Sequence, residues 1–153
     1  WLGSADNGLV EIRNATTYYH KKNQKDRWSL LDNNIFTLFA DDNDNVWIGT
    51  NSGLSIYKKA YNVFKLYRHN DQANSLSSSK VYDIYEDRAG NIWFASSSSG
   101  LSKYDGTSFV YYSAKEGMPA SATQCITEDR NGIIWFGTNN GITRFVGSAF
   151  LQL

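Results

Sequence analysis

The chain repeats itself around four tryptophans. The phrases WLGSADNGLVEI from Trp1, WIGTNSGLSIY from Trp47, WFASSSSGLSKY from Trp93 and WFGTNNGITRF from Trp135 recur at intervals of 46, 46 and 42 residues. A period of this size belongs to propeller blades or to paired-helix solenoids, so the local pattern must decide between them. Each phrase alternates apolar with small or polar residues, and no stripe of helical spacing lasts beyond one turn, which selects strands. Aromatic residues form 15% of the chain against a single proline, a balance that suits pleated, half-buried strands.

A second column precedes the last three tryptophans: LFADDNDNVW, IYEDRAGNIW and ITEDRNGIIW. Asp87 to Gly90 and Asp129 to Gly132 place Asp first and Gly fourth in a type I turn, a hairpin that needs a left-handed residue at its end. Asp44 holds that place in the repeat of Trp47. The acids Glu86, Asp87, Glu128 and Asp129 recur in register, as turn capping predicts and an asymmetric active site does not. A second turn ends at Gly8, Gly53, Gly100 and Gly141, and a last short strand follows around Tyr18–Tyr19, Phe64–Tyr67, Phe109–Tyr112 and Phe150–Leu153. Each unit therefore reads as four antiparallel strands. The fold class is all-β: a β-propeller fragment of about four blades, near residues 1–33, 34–78, 79–121 and 122–153, the first lacking its innermost strand. Trp47, Trp93 and Trp135 are expected to fill the wedges between adjacent blades. Trp28 lies outside that column.

Charge narrows the partners. Fifteen Lys and Arg balance fifteen Asp and Glu, so no single-sign field exists to draw nucleic acid or an anionic membrane. The basic stretch from His20 to Arg27 is interrupted by Asn, Gln and Asp and reads as solvated surface. Cys125, the single cysteine, permits no internal disulfide and no multi-thiolate metal site, and its strand pattern makes it a small buried hydrophobe. His20 and His69 follow outermost strands and belong to the rim as surface residues, so neither a metal nor a cofactor is expected. No apolar run approaches the length of a membrane-spanning helix.

The phrases VYDIYEDRAGNIWFASSSSGLSKYDGTSFVYY and TQCITEDRNGIIWFGTNNGITRF resemble the two-component regulator propeller repeats of bacterial hybrid histidine kinases and related signalling proteins. The likeness runs through nearly the whole chain. Departures are Asp44 for the turn glycine, Ala95 for the glycine after tryptophan, and one extra residue before Gly8 and Gly100. The resemblance implies a periplasmic or otherwise extracytoplasmic segment that senses a small molecule or oligosaccharide, with no catalytic residues of its own. It also implies remaining blades and signalling domains elsewhere in a parent chain. The sialidase Asp box does not match, because Asp87 precedes Gly90 by three places and Trp93 by six. A propeller hydrolase or lyase, and a protein-interaction scaffold, stand as the alternatives.

Turns in an antiparallel blade alternate ends, so the second turns share one face with the blade-to-blade connectors. That face collects Asn51, Ser52, Ser97, Ser98, Asn139 and Asn140, with Asn34, Lys80 and Gln124 entering the innermost strands, and these are the candidate ligand-binding residues. A sugar would need an aromatic platform beside them. The end blades would present apolar faces and strand edges that invite self-association.

Overall fold

The computed structural model describes residues 1–70, 74–97, 100–119 and 122–153. Among them the alternating phrases form four antiparallel sheets. The first holds β1 (Leu2–Gly3), β2 (Leu9–Arg13) and β3 (Thr16–His20). The second holds β4 (Ile35–Ala40), β5 (Asn45–Thr50), β6 (Gly53–Lys58) and β7 (Val63–Tyr67). The third holds β8 (Val81–Glu86), β9 (Ile92–Ser96), β10 (Leu101–Tyr104) and β11 (Phe109–Tyr112). The fourth holds β12 (Thr123–Glu128), β13 (Ile134–Thr138), β14 (Gly141–Val146) and β15 (Ala149–Gln152). In each complete sheet spatial order follows chain order. Strand β4 packs against β8 and β8 against β12, while the fourth strands make no comparable contact among the described residues. First strands that converge and fourth strands that splay are the geometry of propeller blades around an axis.

Each hairpin between a first and a second strand is built by its aspartate. The carboxylates of Asp41, Asp87 and Asp129 accept backbone N–H groups of the turn, from Asn43 and Asn45, Ala89 and Asn91, and Asn131 and Ile133, at 2.8–3.1 Å. The second carboxylate oxygen accepts the indole N–H of Trp47, Trp93 or Trp135 at 2.8, 2.7 and 2.9 Å. The spacing of six residues between Asp and Trp thus ties the turn to the ring, and the buried indole donor is satisfied. Asp44 takes φ 61° where Gly90 and Gly132 take 80° and 79°, so the left-handed end of the turn is kept without glycine.

Three apolar clusters fill the three wedges. Leu9, Ile35, Ile48 and Tyr57 close the first; Trp47, Ile56, Ile84 and Phe94 the second; Trp93, Ile126, Ile134 and Phe136 the third. Each wedge also receives one residue of the connector that leads into it: Leu30, Leu76 and Met118, all at most 2% exposed. The connectors are therefore anchored by apolar side chains, and the first of them buries Leu31 beside Leu30. They are also held by a hydrogen bond that the third strand offers, since Ser55 Oγ accepts Leu31 N–H at 3.1 Å and Ser102 Oγ accepts Ser77 N–H at 2.7 Å. In the fourth sheet the equivalent connector residue is Pro119, which has no N–H, and the buried Thr143 Oγ1, at the place of Ser55 and Ser102, has no partner among the described residues.

Three expectations need correction. Trp135 is half-buried, whereas Trp47 and Trp93 are 5% and 2% exposed, because among the described residues no sheet packs on the outer face of the fourth. Cys125 is exposed for the same reason. It occupies the position of Thr37 and Asp83, both of which face the first strand of a following sheet. Finally, His20 belongs to the first wedge more than to the surface: its Nε2 lies 3.2 Å from Glu11 Oε2, and its ring packs against both Tyr57 and Phe64.

Candidate functional site at the axial mouth

The first strands carry a shared irregularity. Pairing of β4, β8 and β12 with their second strands slips between Ile35 and Thr37, Val81 and Asp83, and Thr123 and Cys125. A bulge leaves one extra residue unpaired and turned out of the sheet. The extra residues are Phe36, Tyr82 and Gln124, at the end of each first strand nearest the connectors. Phe36, 41% exposed, meets Tyr82 edge to face with ring centroids 5.1 Å apart. An aromatic pair from two adjacent blades thus stands at the connector-side mouth of the axis. The sequence signal for it is weak, since an aromatic in a strand ordinarily reads as core.

Asp83 joins the three first strands below this pair. Its Oδ2 accepts Ile126 N–H at 2.9 Å and its Oδ1 lies 3.4 Å from the Thr37 hydroxyl. The carboxylate thus links three blades, and it also accepts Ile84 N–H at 2.9 Å.

The polar residues anticipated at this face fall into three groups. Asn34 and Asn51 come together, Asn51 N–H donating to the Asn34 carbonyl at 3.1 Å. Gln124 and Asn139 also meet, with the Gln124 side-chain amide donating to Asn139 Oδ1 at 2.6 Å. Lys80 is exposed beside them on the entry to β8. Ser52 and Ser97 are turned toward the connectors, where Ser52 donates to Asp32 and Ser97 shares a 3.3 Å bond with Ser78. Burial works to raise the Asp32 pKa, but the Ser52 hydroxyl and the Asn34 amide outweigh it and hold the carboxyl below its ordinary value. Asn140 is exposed on the outward side of the fourth sheet, its carbonyl accepting from Gln152 at 3.2 Å. Ser98 lies outside the described residues.

The connector end of the axis thus holds an aromatic pair, with the amides and one lysine at the same end of the sheets. The hairpin face at the other end of the axis is acidic. There burial, and then Asp42, Asp41 and Asp87, push the Glu86 carboxyl above its ordinary value. No group of three His, Cys, Asp or Glu side chains among the described residues is arranged to hold a metal ion.

Residues 29–52, 75–98 and 117–140 each match the model of the two component regulator propeller repeat. This chain carries three two component regulator propeller repeats. Each matched segment begins one residue before a connector plug, Leu30, Leu76 or Met118, and runs through the first strand, the Asp hairpin and the tryptophan strand. The family's repeat therefore coincides with the elements that seal one wedge. A curated relative, histidine kinase P4 of Formosa agariphila, is 28% identical over 152 residues, 95% of this chain and 11% of its own length. The regulator propeller chain thus spans about a tenth of the relative it matches. The extracellular domain of a hybrid two component system from B. thetaiotaomicron superposes with a TM-score of 0.82 at 23% identity, over 100% of this chain and 23% of that one. Virginiamycin B lyase from Staphylococcus aureus superposes with a TM-score of 0.59 at 21% identity, over 78% of this chain and 41% of the lyase. At these identities the solved structures speak for the fold alone, which hosts both a receptor domain and an enzyme.

Proposed function

We propose that this regulator propeller segment is the ligand-binding part of an extracytoplasmic, periplasmic signalling receptor of the two-component type, and that it binds an oligosaccharide without turning it over. The observation that carries the reading is the Phe36–Tyr82 pair at the axial mouth, at the same end of the sheets as Asn34, Asn51, Lys80, Gln124 and Asn139. Rings supply a stacking surface for the apolar face of a sugar, and amides and ammonium supply hydrogen bonds to its hydroxyls. Binding without catalysis agrees with the use made of the carboxylates. Asp41, Asp87 and Asp129 hold turns and indoles, and Asp83 holds neighbouring strands. The histidine kinase relative and the hybrid-system domain support a receptor context, with signalling domains and further blades in the parent chain. Those blades would dock on the end sheets, which expose Ile12 and Tyr19 on one side and Ile142 and Leu151 on the other. A second copy of the chain could occupy the same faces.

Isothermal titration with a panel of neutral and acidic oligosaccharides tests the reading, with product chromatography on the same mixtures. Saturable binding that Phe36→Ala with Tyr82→Ala abolishes, and no products, is the expected result. Binding untouched by that pair removes the mouth as the site, and hydrolysis or elimination products would make the segment an enzyme.

A further inference from the structure

A second cavity lies far from the axis, on the rim between the first and second sheets. It has a volume of about 580 Å³ and its walls include Glu11, Arg13, Tyr18, Trp28 and Tyr57. That volume falls within the roughly 300–1,000 Å³ common for small-molecule sites. Glu11 is 5% exposed, and its carboxylate has His20 at 3.2 Å and Arg13 no nearer than 3.9 Å. A carboxylate can accept about four hydrogen bonds, and burying one with so few partners costs several kcal/mol.

The equivalent place in the other sheets is used differently. The residue paired with the repeat tryptophan is Ile56 opposite Trp47, Lys103 opposite Trp93 and Arg144 opposite Trp135. Ile56 fills the second wedge as core, while Lys103 and Arg144 lie over their indoles at 5.5 and 5.8 Å. Among the described sheets, only in the first wedge does the position hold a carboxylate, and there it borders the rim cavity. Trp28, which the repeat pattern does not place, is 51% exposed on the connector that crosses this opening.

We infer that this rim cavity is a binding site for a neutral polyhydroxylated ligand of one or two sugar rings, separate from the axial mouth. Glu11 accepts two ligand hydroxyls, Arg13 donates to a ligand oxygen, and Trp28 and Tyr18 cover the apolar faces of the rings. The charges lining it nearly cancel, with Glu11 and Asp26 against Arg13, Lys21 and Lys59, and Lys59 is already drawn to Asp44 at 3.3 Å. A neutral ligand with many hydroxyls fits such a mixture of donors and acceptors better than an ion does. The site does not depend on the axial mouth being functional.

Titration of the 153-residue chain with cellobiose, maltose and lactose, followed by tryptophan fluorescence, tests it, with tetramethylammonium as the competing chemistry. At least one disaccharide should saturate the change. Glu11→Gln, which keeps the shape, should weaken that disaccharide about tenfold or more, the cost of one charge-assisted hydrogen bond. Trp28→Phe should remove most of the signal and weaken binding, while Phe36→Ala with Tyr82→Ala should leave it unchanged. Melting curves of each variant separate lost binding from lost folding. The inference is overturned if no disaccharide saturates or if tetramethylammonium alone does. It is overturned equally if a folded Glu11→Gln chain binds as well as the parent, or if only the axial pair abolishes binding.

Discussion

The third and fourth sheets carry nearly the same phrase and end in different environments. Trp93 and Trp135 sit in matching hairpins and donate to Asp87 and Asp129 at 2.7 and 2.9 Å. Trp93 is 2% exposed, with Tyr112 stacked on it at 5.8 Å and Phe145 edge-on at 5.4 Å. Trp135 is half-buried, with Arg144 over its ring. The hairpin is therefore a local product of about ten residues, and burial of its ring is supplied by the next sheet.

The largest expected difference follows directly. Trp93→Ala should cost about 3 to 5 kcal/mol, through lost transfer energy and the cavity left in the third wedge. Trp135→Ala should cost about 1 to 2 kcal/mol, because one hydrogen bond and a half-exposed ring are lost. Urea unfolding at neutral pH measures both. Equal costs would mean that the ring acts through its hairpin, and burial between sheets would lose its part in the argument.

A smaller effect should be common to the two sheets, because it belongs to the hairpin. For Asp87, burial works to raise the pKa, and the Trp93 indole, the Asn91 side chain and the turn N–H groups overcome it. For Asp129 the Trp135 indole is the leading cause of a lowered value. A folded pKa below the unfolded one contributes stability that is present above the unfolded value, about 3.9, and is lost as pH falls through the folded one. The urea midpoint should therefore hold from about pH 7 to 5 and drop below about pH 4. In Asp87→Asn the midpoint should start lower and fall less on acidification. A midpoint in the parent chain that rises toward pH 3 would contradict the sign.

The smallest effect sharpens the contrast between the sheets. Arg88 donates to the carbonyls of Arg130 and Asp129 at 2.9 and 2.8 Å and lies 3.6 Å from Glu128, gripping the hairpin of the following sheet. Arg130 holds the same place in the fourth sheet and is exposed. Arg88→Ala should cost up to about 1 kcal/mol and Arg130→Ala less than about 0.5 kcal/mol. A double-mutant cycle between Arg88 and Glu128 should show coupling. Its absence would mean that the carbonyls alone hold the guanidinium.

The candidate site was less legible than the fold. Asn34, Asn51, Lys80, Gln124 and Asn139 could be placed on the connector face by counting turns, since hairpins alternate ends whatever packs on them. Phe36 and Tyr82 could not, because their exposure depends on bulges that no strand propensity announces. The connectors misled in the other direction. Their polar runs read as solvated loops, yet Leu30, Leu76 and Met118 inside them are buried plugs. One or two apolar residues in a loop have no periodicity to mark them. Glu11 at the rim is likewise an ordinary strand residue until His20, Arg13 and the crossing connector are seen around it.

The sequence by itself determined the hairpins, their handedness and their period. An Asp caps its own turn, a left-handed residue closes it, and a tryptophan six places on reaches back to the same carboxylate, all within one short segment. Tertiary structure decided which tryptophans are core, which way Cys125 faces, and what gathers at the axis and the rim. Those outcomes depend on how far one twisted sheet lies from the next. That distance is set by side chains some 40 residues apart, and no local pattern encodes it.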